Sequence, residues 1–394
     1  MKDISPGSDL SNPTELTNLN GRLLFIASEP RHGTELWTSD GTTAGTRLVK
    51  DINPGAGGST PVSLVNVRGT LYFGADDAVH GYELWRSDGT AAGTRMVKDI
   101  NSSSGNAGGS VPTDLVDANG TLLFGAVDQP HGRELWRSDG TAAGTRLVRD
   151  IAPGPAHSLT YQLTNVGGTV FFVASDGVHG EELWRTDGTT AGTTMVEDIN
   201  PGADTSFPRN LTNVAGRLFL QADDGTHGNE LWAAARAGGG ARLVKDIQPG
   251  SGAAYPTSLT ARGGTLFFAA DDGVRGDELW RSDGTAAGTR LVRDINAGPA
   301  SSVPAYFETL DGTLFLTAAD AQHGRELWRS DGTAAGTRLA GDIAHGIAGS
   351  FPYGLTSVGG TLFFGADDYA HGRELWKWTV PPRGGGDWQP VPSG

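Results

Sequence analysis

A tryptophan that recurs about every 48 residues constrains this chain more than any other feature. It stands inside a longer motif, HGRELWRSDGTAAGTRLVRDI, whose third copy runs from His131 to Ile151. Six of the seven spacings are 48 residues and one is 51, for Trp37, Trp85, Trp136, Trp184, Trp232, Trp280, Trp328 and Trp376. Because one unit of this length cannot bury its own apolar face, neighbouring units must stack on each other. The sequence therefore predicts a repeat architecture over nearly all 394 residues.

Each unit contains four short strand patterns and no helical periodicity. In the second unit the patterns begin at Leu64, Thr70, Glu83 and Thr94, and they are rich in branched and aromatic residues. Turn sequences such as Asp88-Gly89 separate them, since both residues tolerate a positive φ. Four antiparallel strands per unit, repeated eight times, predict an all-β protein, an eight-bladed β-propeller.

The two ends of the chain predict how the last blade is completed. The last ELW strand runs from Trp376 into residues 377–380 and reaches no fourth-strand pattern, whereas the chain starts with one, Met1–Ile4. We therefore expect residues 1–378 to form a single propeller in which residues 1–4 pair with the last blade and close the ring. This pairing would remove two exposed strand edges. Residues 379–394, rich in Pro and Gly, are predicted to form a tail or linker.

Composition narrows the classes of partner and of site. The net charge of −15 argues against a nucleic-acid partner, because phosphate binding needs clustered Lys and Arg. The absence of cysteine excludes disulfides, zinc–thiolate sites and cysteine nucleophiles. The sequence contains no apolar run of 18 residues, so we expect no membrane span and no signal peptide within it.

An acidic-x-x-His-Gly-x-Glu motif lies between the second and third strands of each unit. We interpret it as a structural loop lock, in which His donates a hydrogen bond across the loop, and a metal site is the alternative. The sixth unit carries Arg275 in place of His, which suits a donor better than a metal ligand. The predicted lock residues include Asp77, His80, Glu83, Asp176, His179, Glu182, Asp368, His371 and Glu374.

Three further repeated features have a structural interpretation and a functional alternative. We expect the SDGT segment to be a capped turn, since it lacks the alternating oxygen ligands of a calcium loop. The tryptophans are predicted to fill the space between blades, although exposed ones would suit sugar binding. The aspartate of the KDI ending is expected to cap the loop after it. No cofactor is required, but calcium is an open alternative, with Asp51, Asp99, Asp150 and Asp198 as its ligands.

A ligand site is expected where the units differ. The two residues after a Ser-x-Pro pattern begin the first strand of each unit, and we expect them to rim the central channel. Most of them are small, but four are bulky: Tyr161, Arg209, Tyr306 and Tyr353. These four residues form the predicted ligand-binding rim. The alternative is that they only plug the channel.

The ELWxxDGTxxGT core, with HG before it and KDI after it, resembles the bacterial ELWxxDGT repeat family over residues 1–378. Such repeats occur in exported and surface proteins of myxobacteria and other environmental bacteria, so the resemblance implies a propeller fold and an extracellular or cell-surface location. It supplies no catalytic residues. We expect a binding module for a protein or glycan ligand. The alternatives are a hydrolase or lyase acting on an extracellular polymer and a structural component of a surface assembly. We expect the chain to be a monomer or to assemble through its tail.

Overall fold

The computed structural model describes residues 2–6, 10–102, 108–236 and 238–379, and the backbone of 387–390. Within these residues the chain forms eight four-stranded antiparallel sheets, here called blades 1–8, each built from consecutive strands. This confirms the predicted all-β propeller class with eight blades. The described residues contain no helix, so none is long and apolar enough to cross a membrane.

The blades divide between two compact units of four, Met1–Thr205 and Ser206–Gly394. The strands of the first unit are β1 (Thr14–Leu19), β2 (Arg22–Glu29), β3 (Gly33–Ser39), β4 (Arg47–Lys50), β5 (Val62–Val67), β6 (Thr70–Asp76), β7 (Tyr82–Ser87), β8 (Arg95–Lys98), β9 (Thr113–Ala118), β10 (Thr121–Asp128), β11 (Gly132–Ser138), β12 (Arg146–Arg149), β13 (Tyr161–Val166), β14 (Thr169–Ser175), β15 (Glu181–Thr186) and β16 (Thr194–Glu197). In this unit the first strands of consecutive blades, β1, β5, β9 and β13, contact one another.

The second unit repeats the same plan. Its strands are β17 (Arg209–Val214), β18 (Arg217–Asp223), β19 (Asn229–Ala235), β20 (Ala241–Lys245), β21 (Thr257–Arg262), β22 (Thr265–Asp271), β23 (Asp277–Ser282), β24 (Arg290–Arg293), β25 (Ala305–Leu310), β26 (Thr313–Asp320), β27 (Gly324–Ser330), β28 (Arg338–Gly341), β29 (Tyr353–Val358), β30 (Thr361–Asp367), β31 (Arg373–Thr379) and β32 (Asp387–Pro390). Here β17, β21, β25 and β29 contact one another in the same way.

The SDGT segment forms a turn that its own side chains hold. In blade 2 the Asp88 carboxylate accepts hydrogen bonds from the backbone N–H and the hydroxyl of Thr90, at 2.9 and 2.7 Å. These bonds hold the pKa of Asp88 below its usual value. Beneath the turn the hydroxyls of Ser87 and Thr94 lie 2.7 Å apart and are buried. The turn therefore satisfies its polar groups internally.

The repeated tryptophan fills the space between consecutive blades. Trp85 is buried in a cluster with Leu36 and Val49 of blade 1 and with Phe73 of its own blade. The ammonium of Lys50 lies 5.7 Å from the centre of the Trp85 ring, which adds a cation–π contact between the two blades. All eight repeated tryptophans are buried, so in the described structure they are packing residues and not exposed platforms.

The last blade is completed differently from the prediction. Its outer strand is β32, which pairs with β31 in the register Trp378↔Trp388, so the edge predicted for Met1–Ile4 is taken by part of the predicted tail. Because few residues separate β31 from β32, bringing the two strands together costs little conformational entropy. The N-terminal segment instead packs on blade 1, where the Lys2 ammonium lies 5.5 Å from the Trp37 ring centre and donates to the Thr46 carbonyl.

Candidate functional site

Two loops lie at the same edge of each blade, which we call the loop edge, and backbone hydrogen bonds join them in blades 1–3 and 5–7. One is the Asp-x-x-His loop between the second and third strands, and the other is the Ser-x-Pro loop that leads into the next blade. In blade 2 the backbone N–H groups of Ser110 and Val111 both donate to the carbonyl of Tyr82 at the start of β7, at 2.8 and 3.0 Å. The third strand thus fixes the position of the Ser-x-Pro loop.

The Asp and His of the first loop bind each other. In blade 2 the Asp77 carboxylate accepts from the backbone N–H groups of Val79 and His80 and lies 2.8 Å from the His80 ring Nδ1. The same ring contact, at 2.8 Å, joins Asp176 to His179 and Asp368 to His371. The hydrogen bond to Asp77 raises the pKa of His80, and the bond to His371 lowers the pKa of Asp368 to about 2.

Blade 6 shows what the histidine position requires. There the Arg275 Nη1 atom lies 2.5 Å from Asp272 Oδ2, the counterpart of the Asp–His contact, and its Nε atom lies 3.9 Å from the KDI aspartate, Asp294. Arginine donates hydrogen bonds and carries a charge, but it is not a metal ligand of this kind. The position therefore suits a cationic donor that faces two carboxylates.

Replacing four of these histidines by arginine should flatten the pH dependence of stability. A histidine whose pKa is raised in the folded state contributes stability below its unfolded pKa of about 6.5, and this contribution is lost as pH rises through the raised value. We expect the thermal midpoint of the native chain to fall between pH 6.5 and 9, and that of the variant H80R/H131R/H179R/H227R to fall less. An equal slope in both proteins would contradict this account.

The glutamate of ELW accepts hydrogen bonds from the Ser-x-Pro loop and its approach, and not from the His. Glu83 is fully buried and accepts hydrogen bonds from the backbone N–H groups of Ile100, Asn101 and Ser110 and from the Ser110 hydroxyl. Glu182 binds the equivalent loop of its blade, through Ile199 and Asn200. Glu374 is exposed. The predicted lock thus consists of two separate networks, one at the Asp-x-x-His loop and one beneath the Ser-x-Pro loop.

Burial and hydrogen bonding shift the pKa of these glutamates in opposite directions. Desolvation raises the pKa of Glu134, Glu230 and Glu278 to about 7, although each carboxylate accepts at least two backbone N–H groups. In the blade 5 network, Ala254 stands where other blades have a serine hydroxyl that binds the carboxylate. These glutamates are structural acceptors whose charge is sensitive to pH.

The KDI aspartates lie beside the same loop. In blades 1–7 one carboxylate oxygen of this residue is buried and has no protein hydrogen-bond partner. The other oxygen of Asp150 accepts from the Gly154 N–H at 3.2 Å, and that of Asp198 accepts from Gly202 at 3.3 Å. Among the described residues, no group of three or more His, Asp or Glu is placed to hold a metal ion. Calcium at Asp51, Asp99, Asp150 and Asp198 stays a prediction.

The four predicted rim residues lie at the start of first strands. Tyr161 donates its hydroxyl to Glu181 at 2.8 Å, and burial raises the pKa of that carboxyl. Arg209 donates to the Pro208 carbonyl at 3.0 Å, and burial lowers the pKa of its guanidinium. Tyr306 is exposed, and the guanidinium of Arg373 lies 5.7 Å from the Tyr353 ring centre. Tyr306 and Tyr353 belong to adjacent blades of the second unit, whereas Tyr161 belongs to the first unit.

The sequence analysis missed the middle residue of the Ser-x-Pro pattern. In all eight blades this residue has a positive φ, between 41° and 55°, and none is glycine. Six of the eight are apolar or aromatic and exposed. The eight residues, here called the x positions, are Asn12, Thr60, Val111, Leu159, Phe207, Tyr255, Val303 and Phe351. Ser precedes seven of them and Pro follows seven, and this repeated placement with varied side chains was the signal available in the sequence.

The residue just before the glutamate of ELW was also missed. It varies from blade to blade, as Thr34, Tyr82, Arg133, Glu181, Asn229, Asp277, Arg325 and Arg373. Because successive strand residues point to opposite faces, its side chain lies on the other face of the sheet from the glutamate. From there Glu181 and Arg373 reach Tyr161 and Tyr353 of the first strand. Arg133 and Arg325 donate to the carbonyls of Val111 and Val303, at 3.2 and 2.9 Å. The loop edge thus gathers the residues in which the repeats differ.

Comparison with known proteins shows the fold. No protein-family model and no curated protein matches the sequence. The chain is similar to the computationally designed Ika8 protein, with a TM-score of 0.51 at 16% identity over 95% of this chain and 98% of that one. It also overlays on a puromycin hydrolase, with a TM-score of 0.46 at 14% identity over 96% of this chain and 60% of that one. A Mycobacterium tuberculosis puromycin-hydrolyzing peptidase gives a TM-score of 0.46 at 13% identity over 99% and 62%. The chain spans about three fifths of these two enzymes, and at such identities the likeness concerns the fold alone.

Proposed function

We propose that this protein is an extracellular or cell-surface binding module that presents its loop edges to a protein or glycan ligand. The observation that carries the proposal is the set of x positions. At these positions apolar and aromatic side chains are exposed on a backbone conformation that favours glycine.

Non-glycine side chains at these positions lower the stability of the folded protein, and the fold does not require them there. A non-glycine residue at positive φ is strained by about 1–2 kcal/mol, and Val111 and Val303 are β-branched, which makes a positive φ still less favourable. The position itself is fixed by hydrogen bonds, for example from the N–H of Phe351 to the carbonyl of Arg325. Side chains that add strain and stay about half exposed have their best explanation in contact with a partner.

The chemistry at the loop edges suits recognition. In the second unit Phe207, Tyr255 and Phe351 are 51%, 56% and 47% exposed, and Arg325 and Arg373 lie at the same edges. Aromatic residues and arginine are the side chains that contribute most to binding energy at interfaces. The first unit has Asn12, Thr60, Val111 and Leu159 at its x positions, so the second unit offers the more aromatic surface.

Replacing Phe207, Tyr255 and Phe351 by glycine separates binding from folding. The triple variant should be as stable as the native chain or more stable, because glycine relieves the positive-φ strain, and it should lose ligand binding. Binding is measured on one array of soluble polysaccharides and one of secreted proteins, with Thr60→Gly as the matched control. The proposal fails if the native chain binds to neither array, or if the triple variant binds as the native chain does.

A further inference from the structure

Resting on the proposed function, we infer that blades 5 and 6 form a subsite for one neutral sugar residue of a glycan. The subsite consists of the exposed ring of Tyr255 and the side-chain amides of Asn210, Gln221 and Asn229. All four residues lie at one loop edge of the second unit.

Hydrogen bonds join these residues into a closed circuit. The Gln221 Nε2 donates to Asn229 Oδ1 at 2.9 Å, and the Asn210 Nδ2 donates to Gln221 Oε1 at 3.5 Å. The same Asn210 amide donates to the carbonyl of Pro256 at 3.2 Å. The backbone N–H of Tyr255, the residue before Pro256, donates to the carbonyl of Asn229 at 3.1 Å. The amides are therefore held in place next to the loop that carries Tyr255 before any ligand arrives.

The blade fold does not require these amides. At the three equivalent positions blade 2 has Ser63, Gly74 and Tyr82, and blade 6 has Ser258, Ala269 and Asp277. Both blades form the same four strands with the same register. Three amides on one blade are thus an addition to the common scaffold.

Two polar side-chain atoms that the circuit does not use can form hydrogen bonds with sugar hydroxyls. Asn229 uses its side-chain oxygen within the circuit, and its Nδ2 hydrogens have no partner among the described residues. Asn210 uses its Nδ2 hydrogens, and its Oδ1 is likewise left as an acceptor. Hydroxyls both donate and accept, so the hydroxyls of a sugar residue can bind these two atoms. The Tyr255 ring, 56% exposed, supplies an apolar face for the C–H groups of a pyranose.

The charges around the subsite favour a neutral sugar over an acidic one. Asp223 pairs with Asn229 across the sheet, and the whole chain carries a net charge of −15. An acidic glycan would be repelled by both. Two cationic groups lie at this edge and both have partners: the Arg209 guanidinium donates to the Pro208 carbonyl, and the His227 ring lies 2.8 Å from the Asp224 carboxylate.

The experiment titrates the full chain with defined oligosaccharides by isothermal calorimetry. The neutral probes are cellohexaose, xylohexaose, mannohexaose and chitohexaose, and the acidic probe is hexagalacturonate. At least one neutral probe should bind, and Tyr255→Ala and Gln221→Ala should each weaken its binding at least about tenfold. Gln221→Ala reproduces Ala269 of blade 6, so it should fold. Val358→Ala, an exposed apolar residue at the end of β29 away from the loop edge, is the control and should bind as the native chain does.

Each contrary outcome has a distinct meaning. If a neutral probe binds and both variants bind it unchanged, the subsite is wrong and the proposed function stands. Binding of hexagalacturonate alone overturns the neutral-sugar assignment. If no oligosaccharide binds while the protein array gives a ligand, the glycan inference is overturned and the binding function stands. If neither assay gives a ligand, both proposals fail.

Discussion

Replacing Glu83 by alanine is expected to lower the free energy of unfolding by about 3–5 kcal/mol. The carboxylate is fully buried and accepts from the backbone N–H groups of Ile100, Asn101 and Ser110 and from the Ser110 hydroxyl. Alanine would leave the N–H groups of Ile100 and Asn101 without this acceptor, whereas the Ser110 N–H keeps its hydrogen bond to the Tyr82 carbonyl. Each unsatisfied buried donor costs about 1–3 kcal/mol, and partial entry of water would reduce the sum.

The last blade supplies the matched control. Glu374 occupies the same strand position but is exposed, so Glu374→Ala should change stability by less than about 0.5 kcal/mol. Urea unfolding of the two variants and the native chain measures the difference. If Glu83→Ala were no more destabilising than Glu374→Ala, the glutamate would not be the residue that holds the Ser-x-Pro loop.

The architecture could be predicted from the sequence because its determinants are local. Turn sequences such as Asp88-Gly89 and the alternation along each strand set the blade without distant information. The predicted fourth strand, residues 94–100, is longer than β8, which ends at Lys98. The difference arises because the backbone of Ile100 turns away to bind Glu83. The strand ends thus depend on a contact between residues 17 apart in sequence.

The candidate site was harder to predict for two physical reasons. His80 and Glu83 are close in sequence, but in the structure they serve different networks, since the strand that begins between them fixes where Glu83 points. The x positions carry Val, Leu, Phe and Tyr, which give no sign of a positive φ in a sequence. The predicted rim residue Tyr306 has a positive φ for a related reason, because the first strand contains a bulge there.

The outer strand of the last blade could not be predicted from the repeat pattern. A fourth-strand pattern at residues 1–4 suggests the partner of β31, but an edge strand pairs with any extended segment that reaches it. Residues 387–390 follow β31 closely in the chain and take this position. Their sequence, Asp-Trp-Gln-Pro, lacks the Lys-Asp-Ile pattern, so backbone hydrogen bonding decides this pairing more than the repeat pattern does.

Replacing Trp136 by alanine should destabilise the protein by about 3–5 kcal/mol, whereas phenylalanine should cost less than half as much. The indole is buried with Tyr72, Val97 and Phe124, and the Lys98 ammonium lies 5.8 Å from its ring centre. Alanine empties this space between blades 2 and 3. Phenylalanine keeps most of the packing, and the lost Nε1 group has no protein hydrogen-bond partner, so its removal eliminates a buried unsatisfied donor.

Trp376 makes this argument testable within one protein. It is also buried, but its Nε1 donates to the carbonyl of Ala366 at 3.1 Å. Trp376→Phe loses that hydrogen bond, which is worth about 0.5–1.5 kcal/mol, and should therefore be more destabilising than Trp136→Phe. Urea unfolding of the two phenylalanine variants gives the comparison. If Trp136→Phe proved the more destabilising, then the Trp136 Nε1 would be bonded in solution, through ordered water between the blades, and the indole would be as much a polar contact as a packing one.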